Sequence, residues 1–313
     1  MITNGPFKYN DTLINIIGTL ILFLACIKLY TLFYTETAMS VEGFGVDTQK
    51  YSVKTNIDLY DKFYSEIYDE LVYSNIKNEF EIGKIIETTK PTSESLILDI
   101  GSGTGHHVHE LKMAGFKKTI GVDRSIDMIK RATAKYPNCK FYLADIMHIT
   151  GFPFVPSTYT HLLCLYFTYY YMENKSQFLK NCFTILKPGG YMIIHIVDRN
   201  QFDPILPSGN PFNIISPQSY APKRITETAL TFNGFNYTAK FDLDKSSNTA
   251  LFKETFKDMK TNRLRVHNHM LYMEPISKTL AIIKQTGFII KEQIDMMQCA
   301  YDYQYLYVLY KPA

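Results

Sequence analysis

Leu96-Ile97-Leu98-Asp99-Ile100-Gly101-Ser102-Gly103-Thr104-Gly105 decides the fold of this chain. An apolar run carrying one carboxylate breaks into glycines at alternate positions. That pattern predicts a buried strand, a sharp turn and a helix start. Glycine has no Cβ and takes positive φ, so a ligand can press against its backbone. An acid at the strand tip repels a phosphate and attracts a cationic amino group. A P-loop requires Gly-Lys-Ser/Thr here, and no lysine is present. A dinucleotide turn prefers G-x-G-x-x-G, whereas this one reads D-x-G-x-G-x-G.

The residues downstream repeat the strand-to-acid pattern. A helix-like stretch from His106 to Ala114 leads to Lys118-Thr-Ile-Gly-Val-Asp123, a short strand ending in a carboxylate. An acid about 20 residues beyond the turn, at the end of the second strand of a βαβ unit, can accept both ribose hydroxyls of a nucleoside. Its competing role is a helix N-cap, because Ile126, Met128 and Ile129 follow at helical spacing. Cys139-Lys-Phe-Tyr-Leu-Ala-Asp145 is a third strand with an acid at its end, and His161 to Tyr166 a fourth. Lys175 to Leu186 has helical periodicity. Leu186-Lys-Pro-Gly-Gly190 then ends that helix and turns into Tyr191-Met-Ile-Ile-His-Ile-Val197.

This ordered series resembles class I S-adenosylmethionine (SAM)-dependent methyltransferases, over roughly residues 58–198 and again over 276–311. The resemblance implies an α/β fold, a Rossmann-like seven-stranded mixed sheet with helices on both faces. Ile276 to Gly287 supplies a helix, and Phe288 to Met297 and Gln304 to Tyr310 two closing strands, the last antiparallel. It implies S-adenosyl-L-methionine as cofactor, held at the turn by Asp99, Gly101, Ser102, Gly103 and Gly105. Asp123, Arg124 and Met128 take the ribose side, and Asp145 and Ile146 the adenine.

The segment Asp58 to Leu71 is helical by period and places Tyr60, Tyr64 and Tyr68 along one face. Such a stripe packs a core or covers a ligand. Tyr-Asp pairs ahead of the first strand in this class cover the methionine end of the cofactor, which makes Tyr60 and Tyr68 contacts by resemblance. Tyr166, Tyr169, Tyr170 and Tyr171 follow the fourth strand, where the class places substrate-facing residues; Tyr166 and Tyr170 are the candidates. His195, within the fifth strand, reads as core.

About 75 residues, Arg199 to Pro275, separate the fifth strand from the final helix, far more than a connection needs. Phe235 to Leu243, Ala250 to Met259 and Asn262 to Met273 read as three strands of an antiparallel lid. In the last, Arg265, His267, His269 and Leu271 share one face. His267 and His269 are candidate substrate contacts. They could also pair on a metal, but no third ligand is visible, and no metal is expected. No residue stands out as a catalytic base.

Leu13 to Tyr34 is the second informative stretch. Leu13 to Ile27 carries no charge, and at 1.5 Å per residue about 20 residues span a hydrocarbon core. Lys28 lies close enough to the end for its stem to snorkel, with Tyr30, Phe33 and Tyr34 at headgroup level. A signal peptide lacks a clear cleavage site here, Leu24-Ala25-Cys26 is a poor lipoprotein box, and a buried amphipathic helix would need a broader polar face. The reading is therefore an N-terminal transmembrane anchor within residues 1–34. A juxtamembrane linker follows over 35–56, then a catalytic domain over 57–313 with its lid at about 199–275. Because SAM is made and used chiefly in the cytosol, the domain is expected on the cytosolic side.

The chain has 313 residues, a net charge of +3 and 24 tyrosines with no tryptophan. Interspersed charge argues against a nucleic-acid partner, which needs a concentrated basic face. Five scattered cysteines read as reduced thiols rather than disulfides or a zinc site. The Tyr-Asp helix, Cys164-Leu-Tyr-Phe-Thr-Tyr-Tyr170 and Ile194-His-Ile-Val-Asp-Arg199 also resemble uncharacterised membrane-anchored methyltransferase-like proteins of giant DNA viruses. That resemblance supplies no substrate. A small-molecule or lipid methyltransferase is the leading expectation. A protein or RNA methyltransferase would need an open charged cleft, and a non-catalytic scaffold would not need the intact acidic set.

Overall fold

A computed structural model describes residues 18–28, 51–204, 223–232 and 234–313. The chain divides into two units, Met1–Glu42 and Gly43–Ala313. In the first, residues 18–28 form a helix, α1, on which Leu20, Ile21, Leu22, Phe23 and Leu24 are exposed. No helix among the described residues is long and apolar enough to cross a membrane. The rest of the expected span 13–34, and residues 35–50 of the expected linker, lie outside the described residues.

The second unit is built on two sheets. In chain order its elements are β1 (Tyr51–Thr55), α2 (Lys62–Val72), α3 (Asn75–Thr89), β2 (Ile97–Ile100), α4 (His106–Met113), β3 (Thr119–Asp123), α5 (Ile126–Lys135) and β4 (Lys140–Leu143). There follow β5 (Tyr159–Cys164), α6 (Lys175–Ile185), β6 (Leu186–Val197), β7 (Glu227–Phe232), β8 (Phe235–Asp244), β9 (Thr249–Asp258), β10 (Leu264–Tyr272), α7 (Ile276–Gln285), β11 (Ile289–Asp295) and β12 (Gln304–Tyr310).

The larger sheet has seven strands in the order β11-β12-β6-β5-β2-β3-β4. β2 runs parallel to both β3 and β5, and β12 is antiparallel to β6 and β11. β2 is buried along its whole length, which is why Leu96 to Leu98 form an unbroken apolar run. Ile97, Leu163, Ile193, Leu306 and Val308 join one core with Ile82 and Ile85 of α3 and Leu111 of α4. The chain leaves β2 toward β3 on one side and returns as β5 on the other. The carboxyl end of β2 is thus the switch point at which a crevice opens.

The Leu186-Lys-Pro-Gly-Gly stretch is not a free turn. Leu186 already pairs with Tyr159, and pairing resumes between Tyr191 and His161, so Lys187 to Gly190 bulge out of the ladder. Their backbone is tied instead to Lys311, just after β12, through Gly189 N–H to Lys311 O and Lys311 N–H to Gly190 O.

The smaller sheet has the order β1-β10-β9-β8-β7. Its three central strands match the three antiparallel strands expected between 235 and 273, and β8 alternates buried and exposed residues as a one-sided sheet must. β1 corrects the linker reading: Tyr51 to Thr55 pair in parallel with β10 from Leu264 to Asn268. Five residues with no buried face are too short a signal to separate an edge strand from a tether. Cys164, Cys182 and Cys299 are buried free thiols, Cys139 is half-buried and Cys26 exposed.

Candidate active site

The turn after β2 takes the conformation its glycines allow. Gly101 and Gly103 lie at φ +72° and +52°, a region in which a side chain is strained. A Cβ on Gly101 would stand 2.5 Å from Thr168 Oγ1, and one on Gly103 would point at the Tyr68 ring, 3.7 Å away. The turn is strapped to the next strand by Asp123, whose Oδ2 accepts the Gly103 N–H at 3.0 Å and Oδ1 the Ser125 N–H at 2.8 Å. Ser125, not Asp123, caps α5 by accepting the Met128 N–H. The N-cap alternative for Asp123 is thereby set aside, and each of its oxygens keeps a lone pair for a ligand.

Three cavities meet around this turn. The first, about 730 Å³, is lined by Gly101, Gly103, Asp123, Arg124, Met128, Asp145 and Ile146, with Tyr60 and Tyr68 closing it. The second lies on the other side of the turn, between Asp99, Ser102 and the α3 residues Lys77, Asn78 and Glu81. The third, about 460 Å³, is an aromatic chamber under the smaller sheet, walled by Tyr64, Phe202, Phe241, Phe252, His269 and Leu271. Tyr68 and Tyr166 line all three. Gly105 lines none of the three. It opens α4, and a Cβ there would strike the Phe141 ring at 2.5 Å.

The second cavity is electrostatically unfinished. Asp99 is buried and its Oδ2 has no partner. Burial is the main cause that pushes its carboxyl up to about 6, with Glu81 and Asp123 adding to the rise against His107. Both amide atoms of the buried Asn78 are also unpartnered. Glu81, by contrast, is fully engaged, 2.7 Å from Lys77 Nζ and 2.8 Å from His107 Nε2. Burial pushes that carboxyl up, but Lys77 and then His107 outweigh it and hold it at about 2. α3 carries no recognisable motif, so its sequence gives Lys77, Asn78 and Glu81 no role.

On the acceptor side the structure separates the expected residues. Tyr60 is not on α2; it ends a short 3-10 turn ahead of Asp61, the N-cap. Its ring nevertheless packs edge-on against Tyr64 and Tyr68 at 5.5 and 6.2 Å. Tyr166 faces the cavities, but Tyr170 does not. Tyr170 is buried and its hydroxyl accepts the Val197 N–H at 2.7 Å, so it is a core residue and its neighbour Tyr171 takes the cavity position. The four-residue 3-10 turn Thr168–Tyr171 sets this phase, which a strand-like or helical count misassigns. The same turn supplies Thr168, and Phe167 precedes it; neither stands out in the sequence. His195 lies fully buried in β6, where burial pushes its imidazole down to about 3.

His269 lines the chamber, whereas His267 is buried behind it. Between them stands Glu254 of β9, directly opposite His267 in the ladder. Ligand atoms of Glu254, His267 and His269 all lie within 4.8 Å of one another, so a third metal-type ligand exists where the sequence reading found none. Its signal was a lone acid in the buried Phe252-Glu254-Phe256 alternation. The hydrogen bonds favour a different use. Arg265 Nε donates to His267 Nε2 at 2.7 Å, which puts the ring proton of His267 on Nδ1, the atom facing Glu254 at 3.8 Å. A metal there would have to displace that proton beside a buried guanidinium.

Comparison with known proteins agrees with this geometry. Residues 97–190 match the family described as a methyltransferase domain. A demethylmenaquinone methyltransferase of Chlorobaculum parvum is 32% identical over 111 residues, 34% of this chain and 44% of that protein. A glycine/sarcosine N-methyltransferase of Aphanothece halophytica is 28% identical over 151 residues, 46% of this chain and 55% of that protein. The chain therefore spans about half the length of the curated relatives it matches. Among solved structures, an S-adenosylmethionine-dependent methyltransferase from Clostridium acetobutylicum superposes with a TM-score of 0.59 at 16% identity, covering 80% of this chain and 98% of that one. Residues 97–190 thus match a methyltransferase domain, and the likeness to the solved structure is one of fold.

Proposed function

We propose that this protein transfers the sulfonium methyl group of SAM to a nucleophile on a small molecule held under the smaller sheet. The observation that carries the reading is the shared wall of the three cavities, at Tyr68 and Tyr166. A ligand with a nucleoside at one end and an amino acid at the other fits the first two cavities and brings its middle to the third.

The chain's own residues fit that ligand. Asp123 offers two carboxylate oxygens to a ribose, and Asp145 an acid to an adenine amino group. The unpartnered Asp99 Oδ2, at the strand tip, suits a cationic ammonium, and the Asn78 amide suits a carboxylate. Side chains at Gly101 and Gly103 would fill the cradle. When bound, SAM supplies an activated methyl group on a sulfonium. The protein aligns the acceptor with it and keeps water out, and the alignment supplies much of the rate. The aromatic chamber, walled by rings, suits a small and largely apolar acceptor. A protein or RNA acceptor would need a charged, open cleft, and a scaffold would have no use for the unpaired Asp99.

Calorimetry with SAM on the full chain tests the reading. Binding is expected, and Gly103→Arg should abolish it; unchanged affinity in that variant would refute the assigned cradle. Labelled SAM with fractionated extract then identifies the acceptor pool.

We infer also that the apolar stretch 13–34 tethers the domain to the cytosolic face of a membrane, which would favour an apolar or lipid acceptor. Its support is the uncharged run and the exposed apolar residues of α1. Retention of the full chain in carbonate-washed membranes, lost on deleting 13–34, is the expected result.

A further inference from the structure

We propose that Tyr60, Tyr171, His269 and Glu254 form a relay that takes up the proton of a phenolic or enolic hydroxyl as that oxygen is methylated. The inference rests on the methyltransferase reading above and deepens it by naming the acceptor's chemistry.

The four residues come from separate elements and form one continuous row. Tyr60 Oη donates to Tyr171 Oη at 2.7 Å, so the proton of Tyr171 is left to point at His269 Nδ1, 2.6 Å away. A bare Nδ1 places the ring proton on Nε2, which faces Glu254 Oε2 at 2.7 Å. Tyr237 donates to the other carboxylate oxygen at 2.7 Å, so Glu254 accepts on both sides. Every hydrogen in the row thus points toward Glu254. Tyr60 and Tyr171 line both the cofactor cavity and the aromatic chamber, which gives the row its entrance at the place where the reactants meet.

One proton entering at Tyr60 Oη shifts each of the others by one position. The acceptor's O–H bond breaks as its O–CH3 bond forms. The electron pair of the broken S–CH3 bond stays with sulfur, which leaves neutral. The proton gained by the row rests on His269, as an imidazolium beside the Glu254 carboxylate. The tyrosines pass protons and do not store charge, because burial pushes both phenols well above their usual value. The surroundings of His269 suit one extra charge there and no more. The Tyr64 and Phe252 rings lie tilted against it at 5.8 and 5.5 Å, and the cationic Arg265, beyond His267, is already paired with Asp61.

The chamber also argues for a hydroxyl on an aromatic or enolic ring. Its described lining is rings and aliphatic side chains, with His269 the one polar group besides the tyrosines. No carboxylate among those residues would hold an ammonium, so an amine acceptor lacks its counter-charge.

The test uses the full chain with 15N-labelled histidine, saturated with SAM. His269, assigned by its loss in His269→Gln, is expected with Nε2 protonated and Nδ1 bare. The opposite tautomer overturns the relay. A second arm uses two probes, 2-naphthol and 4-nitrophenol, the latter already ionised at about pH 8. Tyr171→Phe should slow naphthol methylation about 10²-fold and nitrophenol methylation by less than about threefold. Equal losses overturn the relay, and if the unaltered chain turns over neither probe the tautomer decides. Failure to bind SAM refutes the methyltransferase reading instead, whereas SAM bound beside the wrong tautomer refutes the relay alone.

Discussion

Asp123 and Gly103 are joined by a 3.0 Å hydrogen bond from the glycine N–H to the carboxylate, across 20 positions of chain. The acid that ends β3 therefore shapes the turn that ends β2, while also facing the cavity. Ligand affinity and turn geometry are not separable at this residue. Asp123→Ala leaves the Gly103 and Ser125 N–H groups without their acceptor, a cost of about 1–3 kcal/mol in melting experiments. SAM affinity should fall at least tenfold by calorimetry. Asp123→Asn keeps one oxygen and should lose less of both.

Asp99 gives a pH dependence whose sign differs from the usual carboxylate. Its folded value is raised, from 3.8 to about 6, mainly by burial, so the ligand-free native state holds this proton more tightly than the unfolded chain. Its contribution to ligand-free stability is present below about pH 4 and is lost as pH rises through about 6, a difference of about 3 kcal/mol. Asp99→Asn should therefore raise the ligand-free melting temperature above about pH 6. SAM affinity runs the other way. The ammonium prefers the ionised form, so binding should weaken as pH falls from about 7 to 5, and Asp99→Asn should flatten that dependence. A variant that gained stability and kept full affinity would refute the pairing.

The large sheet was legible because β2, β3 and β4 are short strands with an acid in or just after them, and helical spacing separates β2 from β3, β3 from β4 and β5 from β6. The first cavity was legible for the same reason, since Asp123 ends β3 and Asp145 follows β4. Three features were not. β1 is an edge strand with one partner and no buried face, so its five residues resemble a tether. Lys77, Asn78 and Glu81 reach the cavity only through the packing of α3. Glu254 acquires its meaning from the register that sets β9 against β10, which a single sequence does not state. Of the four candidate contacts, Tyr166 and His269 line the cavities, while Tyr170 and His267 are buried beside or two residues from a residue that does. The error is one of phase, not of region.

The smaller sheet is fastened to α2 by a charge pair. Arg265, buried on β10, donates to Asp61, which also accepts the Tyr64 N–H at 3.2 Å as the α2 N-cap. Asp61→Ala removes a cap and strands a buried guanidinium. The expected loss is about 2–4 kcal/mol by denaturant unfolding. Asp61→Asn keeps the cap oxygen but not the charge, and should fall between. Because α2 carries Tyr64 and Tyr68, both variants should weaken turnover more than SAM binding.

Tyr170 and Tyr171 are adjacent and should respond oppositely to loss of a hydroxyl. The Tyr170 oxygen is the acceptor for the buried Val197 N–H, so Tyr170→Phe should cost about 1–3 kcal/mol of stability. SAM affinity and turnover should remain near those of the unaltered chain at temperatures where it is folded. Tyr171 is half-buried at the cavity wall, and its hydroxyl bonds only to Tyr60 and His269 among the described residues. Tyr171→Phe should change the melting temperature little, by the equivalent of about 1 kcal/mol, and leave SAM binding intact. Its effect should fall on methyl transfer to acceptors that must lose a proton. Paired melting curves and turnover rates separate the two, and the reverse pattern would exchange the roles assigned to these neighbours.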